Sequence, residues 1–182
     1  AWLRPSTHLA LDRFTIRNLE LVVPLNEGGR SLVQALDRCI SPMGSRLLKR
    51  WIVFPLLDLE AIHQRQEVVQ ALLEDADSTD LLADQLGRAG DLERLAGKAA
   101  AGRINPRELL QLQQALGAAQ AVKERLAHAA PALVKVATDL CPPMDLAGRI
   151  EATIEPTTPV NIQKGGVVRA GVSAELDELR HL

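Results

Sequence analysis

A Lys behind a glycine-rich loop, a His pair one helical turn apart, or a Ser in a strand-to-helix elbow would each signal a specific chemistry, and the 182 residues hold none of them intact. The one Gly-Lys pair, Gly97-Lys98, is followed by Ala99 and has Leu92 where a phosphate-cradling loop needs its first Gly, so no P-loop is present. His8, His63, His128 and His181 are scattered, with neither H-E-x-x-H nor a Cys at zinc spacing, which favours helix-surface positions over a metal site. Asp75-Ala76-Asp77-Ser78-Thr79-Asp80 opens like a calcium loop, yet Asp80 stands where the turn Gly belongs and Leu86 where the closing Glu belongs. A solvated acidic loop between helices is the expectation there. Ser45 lacks the G-x-S-x-G surroundings of a nucleophile. Cys39 and Cys141 lie far apart, without an N-x-[ST] site or signal peptide, and are expected to be inert thiols, Cys39 as a small buried hydrophobe. Arg46, Lys49 and Arg50 share a helical face that would meet phosphate, pair with an acidic neighbour, or simply be solvated. Trp51 and Phe54, helix-spaced with Leu47 and Leu48, are expected in the core rather than stacked on bases.

Those side chains must be carried by helices. Thirty-one Leu and 25 Ala against four aromatic residues give a helix-forming bias. Phe14 to Val22 alternates apolar and polar residues and predicts an edge strand ending at Pro24. Leu32, Val33, Leu36 and Ile40 then share one helical face behind a Ser31 cap. Ser41-Pro42 opens a second helix whose stripe Met43, Leu47, Leu48 and Trp51 is expected to be buried, and Pro55 stops it. Asp58 caps a third helix carrying Ile62, Val69, Leu72 and Leu73. Two shorter ones follow, with Leu81, Leu82, Leu86 and with Leu92, Leu95, Ala99, punctuated by Gly90 and Gly102. Asn105-Pro106-Arg107-Glu108 is the clearest start signal, a capping box with Pro where no N–H is needed. It opens a long helix with the seam Leu109, Leu112, Leu116, Ala119, Val122, Leu126. Leu133, Val134, Ala137, Leu140 and Leu146, Ile150, Ile154 mark two more helices. Val160 to Arg169, around Gly165-Gly166, predicts a small hairpin. Ser173 then caps a helix that Leu182 leaves without a stop signal, so the chain reads as cut inside a longer helix.

Charge and hydropathy bound the function classes. The net charge of −2 disfavours a freestanding nucleic-acid binder, although residues 1–54 hold eight basic and four acidic side chains. No apolar run approaches the ~20 residues of a membrane span. A cytoplasmic protein with no membrane partner is the expectation. No repeat of solenoid period is present.

Several stretches resemble a known family: Asp12 to Leu21, then Leu36-Asp37-Arg38-Cys39-Ile40-Ser41-Pro42-Met43-Gly44-Ser45-Arg46-Leu47-Leu48, then Trp51 to Leu56. Gly90 to Leu95 with Gly102 to Leu109, and Gly166 to Gly171 followed by Glu175-Leu176-Asp177-Glu178-Leu179-Arg180, extend the likeness to the end of the chain. Together they are similar to the core, or lever, domain of the MutS family of DNA mismatch-repair ATPases. Cys39 and Ser41 stand where Thr is common, and Val172 where Tyr is common. The resemblance implies a mainly α fold: a multi-helix core with short edge β-strands and a small β-hairpin ahead of a truncated lever helix. It implies residues 1–30 as a lead-in from a connector, 31–154 as the helical core, 155–172 as the hairpin and 173–182 as the start of a lever toward a DNA clamp. The implied role is a relay between the ATPase domain and that clamp, in a homodimeric parent that binds mismatched double-stranded DNA through other domains. The same core in an anti-recombination paralogue that binds branched DNA is a second reading, and a stand-alone helical enzyme a third. ATP and Mg²⁺ belong to the parent's ATPase domain, making the parent a DNA-dependent ATPase and this segment no enzyme. The family's mismatch-reading Phe-x-Glu is absent, since Phe14 precedes Thr15-Ile16 and Phe54 precedes Pro55-Leu56. No catalytic, cofactor-binding, metal-binding or DNA-binding residue is therefore assigned to this chain.

Overall fold

The computed structural model describes residues 7–159 and 162–180. The helices are α1 (Arg13–Asn18), α2 (Leu32–Leu36), α3 (Pro42–Val53), α4 (Leu59–Glu74), α5 (Ala76–Ala89), α6 (Leu92–Ala100), α7 (Pro106–Leu126), α8 (Pro131–Asp139), α9 (Met144–Thr153) and α10 (Ala174–Arg180), with a 3₁₀ turn at Ile162–Lys164. No helix among the described residues is long and apolar enough to cross a membrane.

Local capping chemistry sets most of the helix starts. Ser31 accepts from the Gln34 N–H while the Gln34 side chain accepts from the Ser31 N–H, closing a capping box on α2. Asn105 and Glu108 close a second on α7 at 3.0 and 3.1 Å. Ser41, Asp58, Asp75 and Asp91 cap α3, α4, α5 and α6, each satisfying a backbone N–H that the helix itself leaves free.

The long helix α7 is the axis of the body. Toward its N-terminal half, Leu112 and Leu116 meet Leu95 of α6 and Ala147 and Ile150 of α9. At mid-length Ala115 and Ala118 lie against Ala89 of α5. Toward its C-terminus Val122 and Leu126 meet Ala71 of α4 and Leu133 and Ala137 of α8. The expected seam is therefore present but too narrow. Ala115 and Ala118 are buried as well, because a central helix is covered from more than one side.

Three expectations are corrected and a fourth is not shown. Residues 14–22 do not form a strand: Asp12 accepts from the Thr15 N–H at 2.6 Å and starts α1, and the chain then turns at Glu20, whose φ is +50°. Leu21 is buried by pairing with the start of α2, its carbonyl accepting from Val33 N–H at 3.0 Å. Short alternation carries little weight against a local cap when no partner strand is available. The stripe on α3 is not buried, since α3 has no buried residue and Leu47 is 46% exposed. The acidic stretch after Asp75 is not a loop, because residues 76–80 are the first turns of α5. The hairpin is not shown. Val160 and Asn161 lie outside the described residues, and Val168 bridges instead to Ile154 at the exit of α9. Strand-like pairing among the described residues is limited to that bridge and to His8 with Leu56.

Candidate functional site

Three ionic contacts tie the helices together at α7 and α6, and each begins with a residue already used as a cap or first-turn acid. Asp75 accepts from the Ser78 N–H at 3.0 Å and its hydroxyl at 2.5 Å, and also from Arg125 Nη2 at 3.1 Å, so the start of α5 is pinned to the end of α7. Glu108 pairs with Lys98 of α6 while completing its capping box. Arg46 of α3 donates from Nη1 and Nη2 to Asp91 at 3.0 and 2.7 Å, and from Nε and Nη2 to Glu93 at 2.9 and 2.6 Å. Of the two functional uses open to that basic face, the structure gives Arg46 the acidic neighbours. Lys49 and Arg50 are exposed and form no ion pair among the described residues.

These contacts hold carboxylates ionised. The Ser78 hydroxyl and N–H, then Arg125, lower the Asp75 pKa below the ordinary 3.8. Arg46 lowers that of Asp91, and Lys98, then the Asn105 N–H, lower that of Glu108 below 4.5. The folded chain consequently binds fewer protons than the unfolded chain in the range just below the ordinary values. Stability from these groups is complete above about pH 4.5 and is lost as pH falls through the depressed values. Urea midpoints measured from neutral pH downward should be level to about pH 5 and then drop; midpoints that stay level to pH 3 would refute this.

The other candidates are dispersed. Trp51 is 41% exposed, with the Arg65 guanidinium of α4 stacked 3.8 Å from its ring centroid, so its role is a cation–π contact at the surface and not core packing. Phe54 is also exposed. Cys39 and Cys141 are free and exposed, which corrects the expectation that Cys39 is buried. His181 lies outside the described residues. No group of three or more His, Cys, Asp or Glu among the described residues could hold a metal ion.

A further set of contacts seats α10. Asp177 accepts from the Gly171 N–H at 2.7 Å, and Gly171 has φ +85°, a backbone state that glycine adopts freely. Arg180 Nη2 donates to the Val168 carbonyl at 2.7 Å, and Nη1 to Asp177 at 3.0 Å. The segment so gripped is itself tied to the exit of α9: Glu155 N–H donates to Val167 and Arg169 N–H to Thr153, both at 2.8 Å, while Arg169 Nε reaches the Ile154 carbonyl at 3.0 Å. Ile150 and Ile154 then pack on α7. A continuous line of contacts runs from α7 through α9 and residues 167–169 to α10. In the sequence Asp177 and Arg180 belong to a family signature, and their spacing at i and i+3 is the available sign of a local pair.

Residues 14–182 match the family described as MutS domain III. Among curated relatives, the DNA mismatch repair protein MutS of Bacteroides fragilis is 46% identical over 176 residues, 96% of this chain and 20% of its own length. That of Parabacteroides distasonis is 44% identical over 174 residues, 95% of this chain and 20% of its own. That of Porphyromonas gingivalis is 42% identical over 178 residues, again 96% and 20%. The chain thus spans about a fifth of the length of these relatives. With a match from Phe14 to the last residue and the E-L-D-E-L-R signature used to seat a helix, the chain belongs to the MutS family, as its domain III.

Proposed function

We propose that this domain is the mechanical core of a MutS mismatch repair protein, relaying conformational change between an ATPase domain and a DNA-binding clamp. The observation that carries the reading is the unbroken line of contacts from α7 to the base of α10. Packed helices with few alternative arrangements move as bodies, so a displacement at one end reaches the other. In this reading α10 is the start of the lever, Asp177 and Arg180 fix its direction, and the domain makes and breaks no bonds itself. ATP and Mg²⁺ chemistry is assigned to a separate ATPase domain, mismatched DNA to other domains, and the working protein to a homodimer. The names of the relatives support the mismatch repair context.

The test is the paired substitution Asp177→Ala and Arg180→Ala in a full-length MutS polypeptide carrying this domain. Basal ATP hydrolysis should persist, while its stimulation by mismatched DNA should fall ~2- to 30-fold. Stimulation equal to that of the unsubstituted protein would overturn the relay.

A further inference from the structure

Residues 7–57 are attached to the rest of the molecule in an unusual way. None of them belongs to, or packs against, the three apolar clusters that surround α7 among the described residues. Helices α1, α2 and α3 contain no buried residue at all. The segment is nevertheless well tied within itself. Leu32 and Val33 donate to Glu20 and Leu21, and Ser31 and Ser41 are buried. Residues 7–9 pair with 55–57 through Leu9 N–H to Pro55 at 2.8 Å and Leu57 N–H to Thr7 at 3.1 Å. It meets the body at a few places among the described residues, one of them Ile40 beside α5, where a Cβ at Gly87 would come within 3.7 Å of its Cγ2. Arg46 grips Asp91 and Glu93, the Glu93 N–H meets Met43 Sδ at 3.4 Å, and Arg65 stacks on Trp51. The chain itself crosses at Leu57-Asp58, where Asp58 is the α4 cap.

We infer that residues 7–57 form a lobe that swings on the Leu57-Asp58 joint, and that the Arg46 contact with Asp91 and Glu93 is the latch that docks it. The side chains of Arg46 and Glu93 are 48% and 69% exposed and that of Asp91 22%, so the Glu93 arm of the latch sits in water and is open to screening while the Asp91 arm is partly covered. Apolar contact, which would hold the lobe irrespective of salt, is carried across this boundary among the described residues by half-exposed side chains such as Trp51 and Ile40 and by none from the three buried clusters. Asp91 has two duties, since it also accepts from the Arg94 N–H as the α6 cap. It stays oriented when the lobe leaves, and redocking finds the same partner. This inference is independent of the relay, because the joint and the latch lie within residues 46–93, away from α10.

The experiment uses the whole chain with Cys39→Ser and Cys141→Ser, and nitroxides at Lys49→Cys on α3 and Glu151→Cys on α9. Double electron–electron resonance at ~0.01 M salt, where the Debye length is ~30 Å, should give one narrow distance. At ~1 M salt, or with Arg46→Gln at low salt, the docked population should fall relative to the undocked one by about fivefold, and a second, broad distance should appear. A second pair inside the body, Gln114→Cys and Glu151→Cys, should keep its distance throughout. An unchanged α3–α9 distance in Arg46→Gln and in high salt would overturn the latch. So would broadening of both pairs together, which would mean that lobe and body move or melt as one.

Discussion

Leu133→Ala should lower the thermal unfolding midpoint by roughly 5–15 °C. Leu133 is 1% exposed and sits where α8 crosses α7, in contact with the cluster of Ala71, Val122, Leu126 and Ala137. Two of its four buried neighbours are alanines, which have no side-chain length with which to fill the space left by an isobutyl group. Relaxation is therefore limited, and the cost should lie at about 2–5 kcal/mol, the transfer free energy of the lost carbons together with a cavity term. The control is Leu73→Ala on α4. Leu73 follows the same helical spacing in sequence but is 76% exposed, and its truncation should stay within about 0.5 kcal/mol. Urea titrations followed by circular dichroism give both values; equal effects at the two positions would show that the α7–α8 contact does not hold the body together.

That contrast indicates which features a sequence of this kind discloses. Helix starts are legible because a cap is a local event: Ser31, Ser41, Asp58 and Asn105 each accept from an N–H two or three residues on, and each stands where the sequence pattern predicts. Burial is not local. Leu47 and Leu73 have the same periodicity as Leu112 and Leu133, yet only the latter two face other helices of the body. The alternation at 14–22 points to a strand, and the structure answers with a capped turn of helix, since a strand needs a partner that no short pattern can supply. The seat of α10 was half visible. Asp177 and Arg180 are spaced to pair, but their grip on Gly171 and Val168 depends on the chain returning along the exit of α9. Arg46 shows the same limit from the other side: its charge was evident, while its partners lie 45 and 47 residues away.

Ala115→Leu should destabilise the chain although it adds apolar volume. Ala115 is fully buried where α7 meets Ala89 of α5, with Ala118 beside it and Leu92 packed over them. Small residues on both partners let the two helices lie close, and three extra carbons at the point of contact have no direction in which to go without moving a backbone. Overpacking of this kind costs about 1–3 kcal/mol, and more where the helices cannot separate. Separation is opposed here at the far end of the same interface, because Asp75, which caps α5 by accepting from the Ser78 N–H, also pairs with Arg125 and holds the start of α5 to the end of α7. Two residues away the sign should reverse. A Cβ at Gly117 would meet no atom within 4 Å beyond its own helix, so Gly117→Ala should stabilise α7 by about 0.5–1 kcal/mol through helix propensity alone. Opposite shifts in the urea midpoint from the two substitutions would place the close contact between α5 and α7 on the Ala115 side of the helix. Stabilisation by both would mean that the helices stand far enough apart to accept a leucine, and the alanine cluster would then set no limit on their approach.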